Sequence, residues 1–137
     1  MDERELTIGE LAGRFGLATH VLRHWEDVGL LQPSRRVGGQ RRYDGRHLVD
    51  VAMILLGKDS GLSLAQLREM RSSPERAGRH AVLRAHRDAL RRRIAAARAQ
   101  LDLVEHALEC EAEDYRACPA FLAKADAYLP PPPADRP

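Results

Sequence analysis

Two groups of side chains have the types and spacing for chemistry. The first is cationic: 35-RRVGGQRRY-43 sets Arg35, Arg36, Arg41 and Arg42 on either side of a Gly-Gly pair, and 20-HVLRHW-25 places His20, Arg23 and His24 beside the chain's one Trp. A guanidinium presents five donors in a planar fork that suits phosphates and guanine edges. Such a cluster around a turn, next to a helical stretch, is the electrostatic footprint of nucleic-acid binding, against which stands a plain solvated surface. The second group is Cys110 and Cys118, separated by seven residues, with His80, His86 and His106 upstream. Two thiols at this spacing fit soft-metal ligation, reversible oxidation or an incidental position, and spacing alone does not choose among them. Neither group reads as an enzyme's. No nucleophile with its base and no carboxylate pair in an apolar setting is legible, and Gly38-Gly39 is not followed by a helix as a phosphate loop would be.

These residues must be positioned by a small chain. At 137 residues there is room for one modest domain, or a small domain and an extended helix. Only 4% of residues are aromatic, so a thick aromatic core is not expected. The net charge is +2, but 20 of the 22 Lys and Arg residues are Arg, leaving Lys58 and Lys124 as the lysines. The acidic start 1-MDERE-5 is unlike a secretory leader, and no apolar run reaches the roughly 18 residues of a membrane span. Both point to the cytosol, where a structural disulfide is the less expected use of two cysteines.

Ile8, Leu11, Ala12 and Phe15 fall at helical spacing behind an N-cap Thr7, with Glu10 three residues on and Gly16 as the stop. After 17-LAT-19, a second helix carries Val21, Leu22, Trp25, Glu26 and Val28 and ends at Gly29, which makes a helix-turn-helix. The segment 30–44 loses the helical period and reads as a β-hairpin with basic strands, a wing. From Asp44 a third helix is expected with Leu48, Val51, Ala52, Leu55 and Leu56 on one face. Gly61 breaks it, and Ser63 caps a fourth helix through Leu64, Leu67 and Met70. The apolar signal disappears over 71–78, which sets a boundary: residues 6–75 form one domain and 79–110 a long helix.

In that helix Leu83, Leu90, Ala97 and Val104 recur every seven residues, interleaved with Ile94, Leu101 and Leu108, while Arg87 is the one poor member. This is an a/d seam over about four heptads. A four-helix domain offers too little surface to cover it, so a second copy of the chain is the natural partner. Residues 111–129 then form a loop, which could also continue as helix, and a short helix starting at Pro119. Residues 130–137 are polyproline-like and read as disordered.

The order helix-turn-helix, basic wing, two helices, long helix resembles the MerR family of transcriptional regulators. The resemblance rests on 7-TIGELAGRFGLATHVLRHWEDVGLLQPSR-35, on the wing 38-GGQRRYD-44 and on 61-GLSLAQLREM-70. It implies a mainly α fold: a winged helix-turn-helix DNA-binding domain, a long antiparallel coiled-coil dimerisation helix and a short C-terminal helix. It further implies a homodimer on a palindromic operator in the spacer of a double-stranded promoter, distorting the DNA so that RNA polymerase can engage it. Carried over residue by residue, Thr19, His20, Arg23 and His24 face the major groove while Leu22, Trp25 and Val28 face inward. Arg35, Arg41, Arg42 and Tyr43 contact the backbone from the wing, with Arg14 and Lys58 as further phosphate contacts. The segment 51-VAMILLGK-58 is less basic than the family's third helix, which leaves more of the affinity to the wing. Cys110 and Cys118 stand where metal-sensing relatives present two thiolates. The likeness is to the copper-sensing branch and implies Cu(I), Ag(I) or Au(I) as the ion. The competing readings are a thiol oxidation sensor, a regulator with another small-molecule ligand, and a coiled-coil interaction protein whose wing meets an acidic partner or RNA.

Overall fold

The computed structural model describes residues 5–135. The sequence readings of residues 1–4 and of the last two residues of the tail lie outside the described residues. The chain divides into two compact units between Asp88 and Ala89.

In the first unit, a short strand β1 (Leu6–Thr7) leads directly into helix α1 (Ile8–Arg14). Thr7 is the N-cap: its hydroxyl accepts from the Glu10 N–H, and the Glu10 carboxylate accepts from the Thr7 N–H. This reciprocal pairing satisfies two donors that a helix start leaves open. Helix α2 (Thr19–Asp27) follows, then β2 (Arg35–Val37) and β3 (Gln40–Tyr43), giving an antiparallel sheet in the order β1-β3-β2. Gly38 and Gly39 both have positive φ (57° and 80°), the backbone that a two-residue hairpin turn needs to match strand twist. Register pairs Arg36 with Arg41 and Arg35 with Arg42 across the hairpin, while Leu6 and Thr7 face Tyr43 and Arg42 on the other edge. The core lies between α1, α2 and the helix that follows the wing. Leu11, Leu22, Trp25, Leu30, Leu31, Tyr43 and Val51 are its fully buried side chains.

Helix α3 (Gly45–Asp59) begins on Asp44, whose carboxylate accepts from the Arg46 N–H, while His47 Nδ1 accepts from the Asp44 N–H. Its buried face differs from the one expected. His47, Val51, Ile54 and Gly57 are buried, whereas Ala52 and Leu56 point outward with Val49 and Met53. At Gly57 the lack of a side chain lets Leu67 of α4 (Leu64–Ser72) pack close against the backbone of α3. Ser63 and Gln66 cap α4 with a further reciprocal pair.

The long helix α5 runs from Arg76 to Glu109. The first turns of α5 belong to the first compact unit. Val82 is buried, and His86 Nε2 lies 2.7 Å from the carbonyl oxygen of Ser60. In the second unit α5 gives way at Cys110 to a loop, a 3-10 turn over Tyr115–Ala117 capped by Asp114, helix α6 (Pro119–Ala125) and a second 3-10 turn over Asp126–Tyr128. Pro119 takes the start of α6, where its missing N–H costs nothing. Residues 130–135 are exposed and without regular structure. Among the described residues no helix is long and apolar enough to cross a membrane.

Candidate nucleic-acid interface and thiol centre

Helix α2 divides as its spacing requires. Leu22 and Trp25 are buried and Val28 half-buried, while His20, Arg23 and His24 are exposed and Thr19 is half-exposed at the first turn. Arg14 is exposed, and so is Lys58, whose ammonium stands 5.9 Å from the centre of the Trp25 ring. At that distance a cation is drawn to the ring face.

The wing is attached to α2 by one carboxylate. Glu26, whose side chain is only 14% exposed, accepts from Arg41 Nε (2.5 Å), from Arg36 (3.3 Å) and from the Tyr43 hydroxyl (3.2 Å). The strand period explains the convergence. Arg41 and Tyr43 are two apart on β3 and share a face, and Arg36 is the cross-strand neighbour of Arg41. Arg35 instead forms a forked pair with Glu5, Nε to Oε1 at 2.6 Å and a terminal nitrogen to Oε2 at 2.9 Å. This contact holds the Glu5 carboxyl below its ordinary pKa. Each of these arginines keeps donors beyond those its carboxylate occupies.

Tyr43 departs from its expected role as a backbone contact. It is completely buried, its hydroxyl is directed at Glu26, and its ring meets His47 edge-on at 5.1 Å. Burial, and after it the Glu26 charge, pushes its phenol up to about 12. A tyrosine on the inner face of a short strand is drawn into the core, so Tyr43 supports the wing from beneath.

Two residues were missed in the sequence. Glu26 reads there as one more member of a helix face, although a carboxylate next to Trp25 on the half-buried side signals a role. His47 binds twice, to the Asp44 N–H at 3.0 Å and to the carbonyl of Gln32 at 2.6 Å. This bridges the start of α3 to the segment before the wing. Its signal is the spacing Asp44-x-x-His47, an N-cap and its N3 partner. Asp44 itself, bonded by Arg46 and Ser34, is held well below the usual carboxylate range.

The second unit brings the two cysteines together. Both are free thiols, Cys110 half-buried and Cys118 buried. The segment between them does not continue α5, which ends at Glu109, and carries only the short 3-10 turn over Tyr115–Ala117. His106 Nε2 lies 3.5 Å from Cys118 Sγ, and these two atoms and the Cys110 sulfur all fall within 4.8 Å of one another. The hydrogen bond with His106, and after it one from the Phe121 backbone, lowers the Cys118 thiol to about 7. His106 also meets the Phe121 ring at 5.2 Å. Of the other two histidines considered, His86 is engaged with Ser60. His80 lines a shallow surface depression with Leu83, Arg84 and Arg87.

Residues 6–73 match the family of MerR helix-turn-helix regulatory proteins. The transcriptional activator TipA of Streptomyces coelicolor is 33% identical over 104 residues, covering 75% of this chain, and the chain spans 41% of TipA's length. Among solved structures, the regulator PbrR691 of Ralstonia metallidurans CH34, in complex with lead(II), is 26% identical with a TM-score of 0.61, covering 88% of this chain and 99% of that one. HiNmlR, a MerR family regulator lacking the sensor domain and bound to promoter DNA, shares the fold at 24% identity and a TM-score of 0.55, covering 90% and 94%. With residues 6–73 matched by the family's own pattern and its fold shared with a solved regulator at 26% identity, the chain belongs to the MerR family of helix-turn-helix regulators.

Proposed function

We propose that this protein is a transcriptional regulator that binds double-stranded promoter DNA as a homodimer. The observation that carries the reading is the coupling of an exposed cationic helix face to an arginine-rich wing through Glu26. In this reading Thr19, His20, Arg23 and His24 enter the major groove, and Arg35, Arg36, Arg41 and Arg42 meet phosphates on either side, with Arg14 and Lys58 as outer contacts. A phosphate oxygen can take the donors that Glu5 and Glu26 leave unused. Similarity to TipA, an HTH-type transcriptional activator, supports it.

The seam of α5 supplies the dimer. Leu83, Ile94, Leu101, Val104 and Leu108 are all more than 40% exposed in a single copy, and Leu90 and Ala97 lie in register with them. An antiparallel pairing of two such helices covers the seam and sets two reading heads on one palindrome, where the dimer distorts the promoter spacer for RNA polymerase. Cys110 and Cys118 form the effector centre. Two sulfurs in reach of each other suit a soft monovalent ion such as Cu(I), Ag(I) or Au(I), and the lead(II) complex of PbrR691 supports a thiophilic ion.

Footprinting on the DNA upstream of the protein's own gene tests the DNA-binding reading. A protected dyad at physiological salt is expected. Weak binding without sequence preference would replace it with the reading of a coiled-coil protein that meets RNA or an acidic partner.

A further inference from the structure

The thiol pair is joined by a third donor from a different residue type. His106 and Cys110 are four apart at the end of α5, where the Cys110 N–H still bonds the His106 carbonyl at 2.9 Å. The helix therefore fixes both side chains on one face, one turn apart. Cys118 arrives from the other direction, delivered by the Asp114-capped 3-10 turn and held as the N-cap of α6. The edge contact with Phe121 orients the imidazole, and its Nε2, the atom that meets Cys118, is the one directed into the cluster. A nitrogen and a sulfur bound to one ion at ordinary bond lengths of about 2.0 and 2.3 Å stand roughly 3.6–3.8 Å apart. The observed 3.5 Å is already close to that separation.

Resting on the reading of Cys110 and Cys118 as the effector centre, we propose that His106 is its third ligand, so that the site holds copper(I) in a nitrogen-plus-two-sulfur set. The donor types select the ion. Thiolates favour copper(I) and zinc(II), and imidazole favours zinc, copper, iron and nickel, which leaves copper and zinc in common. Structural zinc takes four protein ligands, and among the described residues no fourth His, Cys, Asp or Glu joins the group. Three donors with two thiolates fit the monovalent ion.

Silver(I) is the probe, being equally soft, stable in air and spin-active. Reduced, full-length, nitrogen-15-labelled protein is titrated with silver(I) and the histidine ring resonances are followed. In parallel, silver(I) affinities are measured by competition for wild type, His106→Ala, His106→Gln, Cys110→Ser and Cys118→Ser. The His106 Nε2 resonance is expected to shift and to split by coupling to silver, with His80 and His86 unmoved. Both His106 variants should bind silver(I) about tenfold or more weakly, in the range by which altered metal shells lower affinity. If the cysteine variants lose silver(I) while both His106 variants bind like wild type and the ring resonance stays in place, His106 is no ligand and the thiol pair acts alone. If wild type and cysteine variants bind silver(I) alike, the effector reading falls and this inference with it.

Discussion

Glu26 shows what one residue contributes to this protein. A largely buried carboxylate that accepts from two guanidiniums and a phenol leaves three donors without their partner when it is truncated. Glu26→Ala should lower stability by about 1–3 kcal/mol, measured by urea unfolding, whereas a loss under about 0.5 kcal/mol would make these contacts equivalent to exposed surface pairs. Tyr43 adds a pH signature. Its folded pKa of about 12 lies above the unfolded value near 10, so the folded state favours the protonated phenol. The stability this gives is complete below about pH 10 and is lost as pH rises toward 12. A tyrosinate absorbance step near pH 12 that disappears in Tyr43→Phe is the expected reading, and a step already complete by pH 10 would contradict it. Trp25 was legible as core from its three-residue spacing to Leu22. Tyr43 was not, because a four-residue strand in which all other residues are polar or charged hides its inward face. His106 was visible only as one of three histidines on a helix, since its meeting with Cys118 depends on how the chain turns after Glu109.

At the scale of elements, capping signals translated directly into helices, as Thr7 and Ser63 show, and the Gly38-Gly39 pair into a hairpin turn. Faces were harder. The run Leu48, Val51, Ala52, Leu55, Leu56 suggested one stripe for α3, but Val49, Met53 and Leu56 are all about 60% exposed. In a helix apolar on most sides, neighbours rather than periodicity choose what is buried. The wing likewise has two sides: Arg36 and Arg41 face α2, while Arg35 turns to Glu5. Arg41→Ala should weaken operator binding and lower the slope of log affinity against log salt by about 0.9, the value for one phosphate contact. A weakened operator complex with an unchanged slope would mean that Arg41 acts only through Glu26.

For the whole molecule, the seam of α5 decides whether there is one reading head or two. Leu101 is 54% exposed in the single chain, and Leu101→Asp would set a charge on each side of the paired seam. It should sediment as a monomer and lose the operator while keeping its helical content. A dimer that survives the substitution would place the interface elsewhere. The seven-residue spacing made this helix legible as one long element. The contact of His86 with Ser60 was not legible, because it joins residues 26 apart in the sequence.

The carboxylate that ties Arg36, Arg41 and Tyr43 to α2 also has a mechanical consequence. Through Glu26 the wing strands and α2 are bonded to one another. On the proposed DNA-binding reading they act as the two jaws of a caliper, set to one distance between groove floor and backbone. On that account, DNA whose groove width strays from the setting is refused for its shape, whatever bases it displays.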